Sequence, residues 1–159
     1  MKITDVTLTL FAWENIPSTT YGRHTGKFGG QSQLGLLALR TDDGVEGHAF
    51  LGSASRGAQY DAESLMGTLK PLVMDQDPLE RERLYQALLS RSRQTTWRAI
   101  GAVDVALWDL AGKVTGLPIH RLLGSYRDRL PAYASSAVLP SKLAYAEEAG
   151  RGDGFTGPI

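Results

Sequence analysis

A chain of 159 residues that is 42% hydrophobic and 21% charged is long enough for one domain with a real core, and it lacks the composition of a disordered segment. Lysine plus arginine and aspartate plus glutamate number 17 each, so there is no basic field to hold nucleic acid, and the absence of cysteine excludes a disulfide framework and every thiolate metal site. No run approaches the roughly 18 apolar residues of a membrane span and the N-terminus lacks a signal-peptide core, so a soluble, cytoplasmic protein without membrane contact is expected.

From Ile3 to Trp13, the apolar Ile3, Val6, Leu8 and Leu10 alternate with Thr4, Thr7 and Thr9, which predicts a strand with one buried face. Glu14 to Gln31 has no usable periodicity and is expected to be a glycine-rich loop, both functional and mobile. Ser32 to Arg40 reads as a second strand and Val45 to Phe50 as a third, with Asp43 and Gly44 as the left-handed positions of the hairpin turn between them. A second loop of small residues, Leu51 to Gln59, is expected to leave this meander at the edge from which the first loop emerges.

After Tyr60 the period becomes helical, with Leu65, Leu69 and Leu72 on one face until Pro71 breaks the hydrogen-bond ladder. Asp77-Pro78-Leu79-Glu80 combines a capping aspartate, proline at the first position and glutamate at the third, and predicts the start of the next helix. Leu84 and Leu88 form its buried stripe with Leu79 as a further candidate, while Arg81, Glu82, Arg91 and Arg93 face outward.

The stretch from Ala99 to Gly124 organises the remainder. Ile100, Val103, Leu107, Leu110 and Val114 recur at helical spacing, and Ala99, Gly101, Ala102, Ala106 and Ala111 remove bulk from the other faces, so this helix packs on more than one side. Thr95 or Thr96 caps its start, Gly116 stops it in the left-handed conformation, and Pro118 opens a short second helix closed by Gly124. Asp109 and Lys113, one turn apart with the acid N-terminal, read as a structural salt bridge rather than as chemistry.

Taken together, Ala99, Ala102, Val103, Asp104, Ala106, Leu107, Asp109, Leu110, Gly112, Lys113, Pro118, Ile119, Leu122, Leu123 and Gly124 resemble the pattern of the mandelate racemase and muconate lactonizing enzyme family of the enolase superfamily, without a mismatch. The resemblance implies an α+β capping domain over residues 1–128, a three-stranded antiparallel meander followed by helices, leading into the start of a modified TIM (β/α)8 barrel. Leu130 to Val138 is a β-prone run and a helical pattern follows Pro140, so residues 129–159 are expected to be the first barrel βα unit.

The resemblance further implies a magnesium-dependent enzyme in which a base removes the proton next to a carboxylate and the metal stabilises the resulting enediolate. In the family the second barrel strand carries a Lys-x-Lys pair and the third to fifth strands carry three acidic magnesium ligands. None of these positions occurs in this chain, so no catalytic or metal-ligating residue is assigned to it, and Mg2+ is expected in the complete enzyme and not on this chain alone. The chain is therefore expected to be a truncated product or a fragment of a longer enzyme. Sugar-acid dehydration is the favoured reaction and a homo-oligomer the expected assembly. The alternative is a catalytically inert module that self-associates.

In the family the two capping-domain loops close over the barrel mouth and choose the substrate. Position by position this points to Tyr21, Arg23, His24, Lys27 and Phe28 in the first loop and to Ser53, Ser55 and Arg56 in the second, with Ser135 and Ser136 at the end of the first barrel strand. Arg23, Lys27 and Arg56 suit a small, hydroxylated carboxylate such as a sugar acid; solvated loops with ordinary surface charge are the competing reading.

Other patterns carry no chemistry. Gly22 and Gly26 are separated by three residues instead of the four of a phosphate loop, and Phe28 stands where serine or threonine is needed. Arg151-Gly152-Asp153 matches an adhesion tripeptide by chance composition. The three histidines lack metal-ligand spacing.

Overall fold

The computed structural model describes residues 1–20, 27–127 and 129–130. Strands β1 (Ile3–Thr20), β2 (Lys27–Thr41) and β3 (Glu46–Leu51) form an antiparallel meander in the order β1-β2-β3. Because side chains alternate across a strand, the register sorts the sequence into two faces. Val6, Leu39 and Gly47 line up on the inner face, followed by Leu8, Leu37 and Ala49, then Leu10, Gly35 and Leu51. On the outer face Arg40 lies opposite Glu46, and Leu36 opposite Phe50 and Thr9; Phe50, Phe11 and Trp13 are exposed there.

The first expected loop is largely strand. Ile16 pairs with Gly30, Thr19 with Phe28 and Thr20 with Lys27, so β1 and β2 run on as a two-stranded ribbon beyond the end of β3. Register shifts between Trp13 and Ile16 and between Ile16 and Thr19, with Asn15 at φ +57°, break the period of two that the sequence would otherwise display. At the β2–β3 turn Gly44 alone is left-handed, at φ +78°; Asp43 is not, because Thr41 and Val45 pair across a three-residue connection, which needs a left-handed residue only at its third position. The buried Thr41 side chain accepts from the Val45 N–H and donates to the Val45 carbonyl.

The first helical stretch also departs from expectation. α1 (Gln59–Ser64) continues through a π-helical turn over Leu65–Leu69 into α2 (Lys70–Val73), without a break at Pro71. Proline lacks an N–H and crowds the carbonyl four residues back, and the widened turn places Pro71 in the first turn of α2, where neither defect matters. Leu65, Leu69 and Val73 are buried by this path, with Leu72 only half-buried.

α3 (Arg81–Leu89) starts after the Asp77 signal, not on it: Asp77 accepts from the Leu79 N–H at 2.9 Å and caps a separate turn. Leu79 is consequently 48% exposed, while Leu84 and Leu88 are buried as expected. Arg81 points inward instead of outward, with its guanidinium 3.9 Å from the centre of the Trp108 ring and 2.8 Å from Asp104. A cation stacked on an aromatic face and paired with a carboxylate joins α3 to the long helix.

That helix, α4 (Trp97–Thr115), is capped by Thr96, whose side chain accepts from the Ala99 N–H at 3.1 Å, and ends at Gly116 with φ +65°. Ala99, Ile100, Ala102, Val103, Ala106, Leu107 and Leu110 are buried against the sheet and the other helices. Val114, expected in the same stripe, is exposed because the sheet does not extend that far. The fit to β3 is close enough to require glycine: a Cβ on Gly47 would stand 2.2 Å from the Ala106 carbonyl oxygen and 2.5 Å from Leu110 Cγ. After Pro118 comes α5 (Ile119–Leu122), closed by Gly124 at φ +106°. No helix among the described residues is long and apolar enough to cross a membrane. Of the barrel unit expected at 129–159, residues 131–159 lie outside the described residues.

Candidate functional site

β3 stops at Leu51, opposite Gly35, while β1 and β2 continue past it, so the chain leaves the sheet beside the root of the ribbon. Gly52, at φ +101°, makes that exit; a Cβ there would stand 2.5 Å from the Gln33 carbonyl oxygen. The following loop lies along β2: the Ser32 hydroxyl donates to the Ser53 carbonyl at 2.6 Å, and the Ala58 N–H donates to the Gln33 carbonyl at 2.8 Å. The second loop thus lies against the part of β2 that continues past β3, whereas residues 21–26 of the first expected loop lie outside the described residues.

Within the loop the candidate residues Ser53, Ser55 and Arg56 are brought together. The Ser53 N–H donates to the Arg56 carbonyl at 2.9 Å, the Arg56 N–H donates to Ser53 Oγ at 3.1 Å, and the two serine hydroxyls are 3.2 Å apart. The Arg56 guanidinium is half-exposed, 5.8 Å from the Tyr60 ring centre, and its nearest carboxylate oxygen, Asp61 Oδ1, is 3.9 Å away. Its pairing is too long for a good hydrogen bond, which leaves its donors for another acceptor.

Asp61 itself is fully buried. Oδ1 accepts from the Thr96 hydroxyl at 2.8 Å, and Oδ2 accepts from Nε of Arg98 at 2.7 Å and from its Nη2. A buried carboxylate satisfied in this way serves as a fastening between α1 and the start of α4. The sequence reading missed Asp61 and Arg98. One signal was available: Arg98 sits in the first turn of a helix, where a cation opposes the helix dipole and calls for an anionic partner.

A second cluster joins β3, the edge strand of the sheet, to α4. Asp109 accepts from the His48 N–H at 2.8 Å and from Lys113 at 2.6 Å, and Lys113 also donates to the Glu46 carbonyl at 2.7 Å. The Arg40 side chain, hydrogen-bonded to Glu46, holds that carboxyl below its usual range, with a smaller contribution from His48. The Asp109–Lys113 pair is structural, as expected, and it ties β3 to α4.

Tyr21, Arg23, His24, Ser135 and Ser136 lie outside the described residues, and Lys27 and Phe28 are placed only by their backbone, opposite Thr20 and Thr19 at the far end of the ribbon. Among the described residues no group of three or more histidine, cysteine, aspartate or glutamate side chains is arranged to hold a metal ion. Asp61 and Asp109 are already committed to cations and backbone donors. The described residues do not fit a magnesium site.

Residues 7–124 match the family described as mandelate racemase / muconate lactonizing enzyme, N-terminal domain. A D-galactonate dehydratase family member of Streptomyces bingchenggensis is 40% identical over 94 residues, 55% of this chain and 23% of the relative. An L-Lys-D/L-Arg epimerase of Desulforapulum autotrophicum is 34% identical over 126 residues, 74% of this chain and 35% of that protein. The crystal structure of D-glucarate dehydratase from Agrobacterium tumefaciens, complexed with magnesium, superposes with a TM-score of 0.68 at 33% identity, over 86% of this chain and 36% of that one. The chain thus spans between 23% and 36% of the length of these relatives. A capping-domain fold and a family match that runs from β1 through Gly124 lead to one conclusion: this chain belongs to the mandelate racemase / muconate lactonizing enzyme family, whose N-terminal domain it contains.

Proposed function

We propose that this chain is the substrate-selecting cap of an enzyme that removes the proton next to a carboxylate, and that the reaction is dehydration of a sugar acid. The observation that carries this reading is the loop at 52–58, which presents the half-exposed, loosely paired Arg56 beside two serine hydroxyls at the edge it shares with the β1–β2 ribbon. A guanidinium donates paired hydrogen bonds to a carboxylate, and the serine hydroxyls both donate to and accept from an alcohol, so together they match a polyhydroxylated acid. Tyr21, Arg23, His24, Lys27 and Phe28 of the first loop in the sequence, and Ser135 and Ser136, are assigned to the same mouth on sequence grounds.

Magnesium, present in the solved D-glucarate dehydratase, supplies stabilisation of negative charge in the complete enzyme when bound. Its ligands and the proton-transferring bases are assigned to residues outside this chain. The cap's own work is to bind and orient the substrate and to exclude water from it. A cytoplasmic homo-oligomer is the assembly we assign.

The similarity to an epimerase named for lysine and arginine raises a second reading, in which the substrate is cationic. Arg56 argues against it, because a guanidinium at the mouth repels such a side chain. The test is a chimera in which residues 1–124 replace the matching segment of a D-galactonate dehydratase, assayed for keto-acid formation from galactonate, galactarate and glucarate. Turnover of a sugar acid, with KM raised at least tenfold by Arg56→Ala, is the expected result. Epimerisation of a cationic amino-acid derivative instead would move the assignment to the second reading. A folded chimera inert on every acid, alongside concentration-dependent self-association of this chain, would favour a non-catalytic interaction module.

A further inference from the structure

Arg98 touches more than Asp61. Its Nη1 donates to the Arg56 carbonyl at 2.8 Å and its Nη2 to the Gly57 carbonyl at 3.2 Å, so one guanidinium grips two consecutive peptide groups of the loop. The Arg56 carbonyl is also the acceptor on which the loop closes, through the Ser53 N–H at 2.9 Å. On its other side Arg98 belongs to the first turn of α4, which is fixed by the Thr96 cap and by the buried Ala99 and Ile100. Asp61 cancels the charge of Arg98, which leaves Arg56 as the more exposed and more loosely paired cation of this edge.

We propose that Arg98 is a positioning residue: its planar fork fixes the Arg56–Gly57 backbone to α4 and thereby sets where the Arg56 guanidinium and the Ser53 and Ser55 hydroxyls stand. The role of that placement rests on the reading of this loop as part of the substrate-facing lid. A lysine at the same position keeps the charge that Asp61 needs, but its three donors radiate from a single nitrogen and cannot replace the four bonds that Arg98 makes from Nε, Nη1 and Nη2.

The test is hydrogen exchange on this chain, without any substrate, comparing the parent with Arg98→Lys. Amides in 52–58 are expected to exchange at least tenfold faster in the variant, while segments from β2 and the middle of α4 exchange as in the parent. A folded variant whose loop exchanges at the parental rate overturns the proposal. Should the lysine variant fail to fold, the parent decides: loop amides of Ser53, Arg56 and Ala58 that exchange together with the first turn of α4 support the latch, and loop amides that exchange at free-peptide rates beneath a protected α4 overturn it. In the chimera, Arg98→Lys is expected to raise KM for the sugar acid with kcat within about twofold of the parent. Because exchange is read without substrate, failure of the sugar-acid reading leaves this result interpretable.

Discussion

Two acid–base clusters fasten α4 to the rest of the molecule, one at each end, and they differ in what surrounds them. At the N-terminal end the Asp61 carboxylate is fully buried, and Arg98 and Thr96 supply its hydrogen bonds. Towards the C-terminal end Asp109, Lys113, His48 and Glu46 are each about one-third to two-fifths exposed and are bathed by solvent. In water the Coulomb energy of such a pair is small and its side-chain entropy opposes it, whereas a buried charge stripped of its partner cannot be rehydrated. Similar residue types therefore do different work: the exposed cluster sets a register between β3 and α4, and the buried one holds the loop at the candidate site.

The largest expected effect separates the two directly. Asp61→Ala strands the Arg98 charge beside the core and is expected to lower stability by about 3–5 kcal/mol, read as a fall in the urea midpoint. A loss as small as that of an ordinary surface pair would erase the distinction between the clusters. Next in size, Asp109→Ala removes the acceptor of the half-buried His48 N–H and is expected to cost about 1–2 kcal/mol, whereas Lys113→Met leaves that bond intact and should cost about 0–1 kcal/mol.

The smallest effect is one of pH. Hydrogen bonding by Arg40 depresses the Glu46 carboxyl, and that of Lys70 depresses Asp5. A depressed folded-state value contributes stability above the unfolded value of about 4 and loses it as pH falls through the folded one. Glu46→Gln and Asp5→Asn should therefore unfold at lower urea than the parent at pH 7, and the gap should narrow progressively below pH ~4. A gap that widens in acid would mean that the ion pairs have the opposite sign.

The clusters also mark how far the sequence could be read. α4 was legible from end to end because its caps at Thr96 and Gly116 and its apolar stripe are local signals, and the meander was legible wherever alternation is unbroken. The ribbon was hidden by its bulges, and the π-helical turn by the usual expectation that proline stops a helix. Arg81 was assigned to solvent because its partners, Trp108 and Asp104, sit on another helix. Ser53, Ser55 and Arg56 are candidates on the family resemblance alone, and the residue that bonds their loop was not among them: Arg98 and Asp61 are 37 residues apart, and nothing in either local pattern names the other.

The order of the elements along the chain carries a consequence for synthesis. The three strands pair only with their sequence neighbours, so the sheet can form as soon as Leu51 is available. Its inner face, with Leu37, Leu39 and Leu51, is covered by a helix that begins only at Trp97. At about 5–20 residues per second, a nascent sheet waits roughly 2–10 s with that face bare. During that interval the half-made domain is a ready client for a chaperone, and Gly47 is the notch that admits the late-arriving helix.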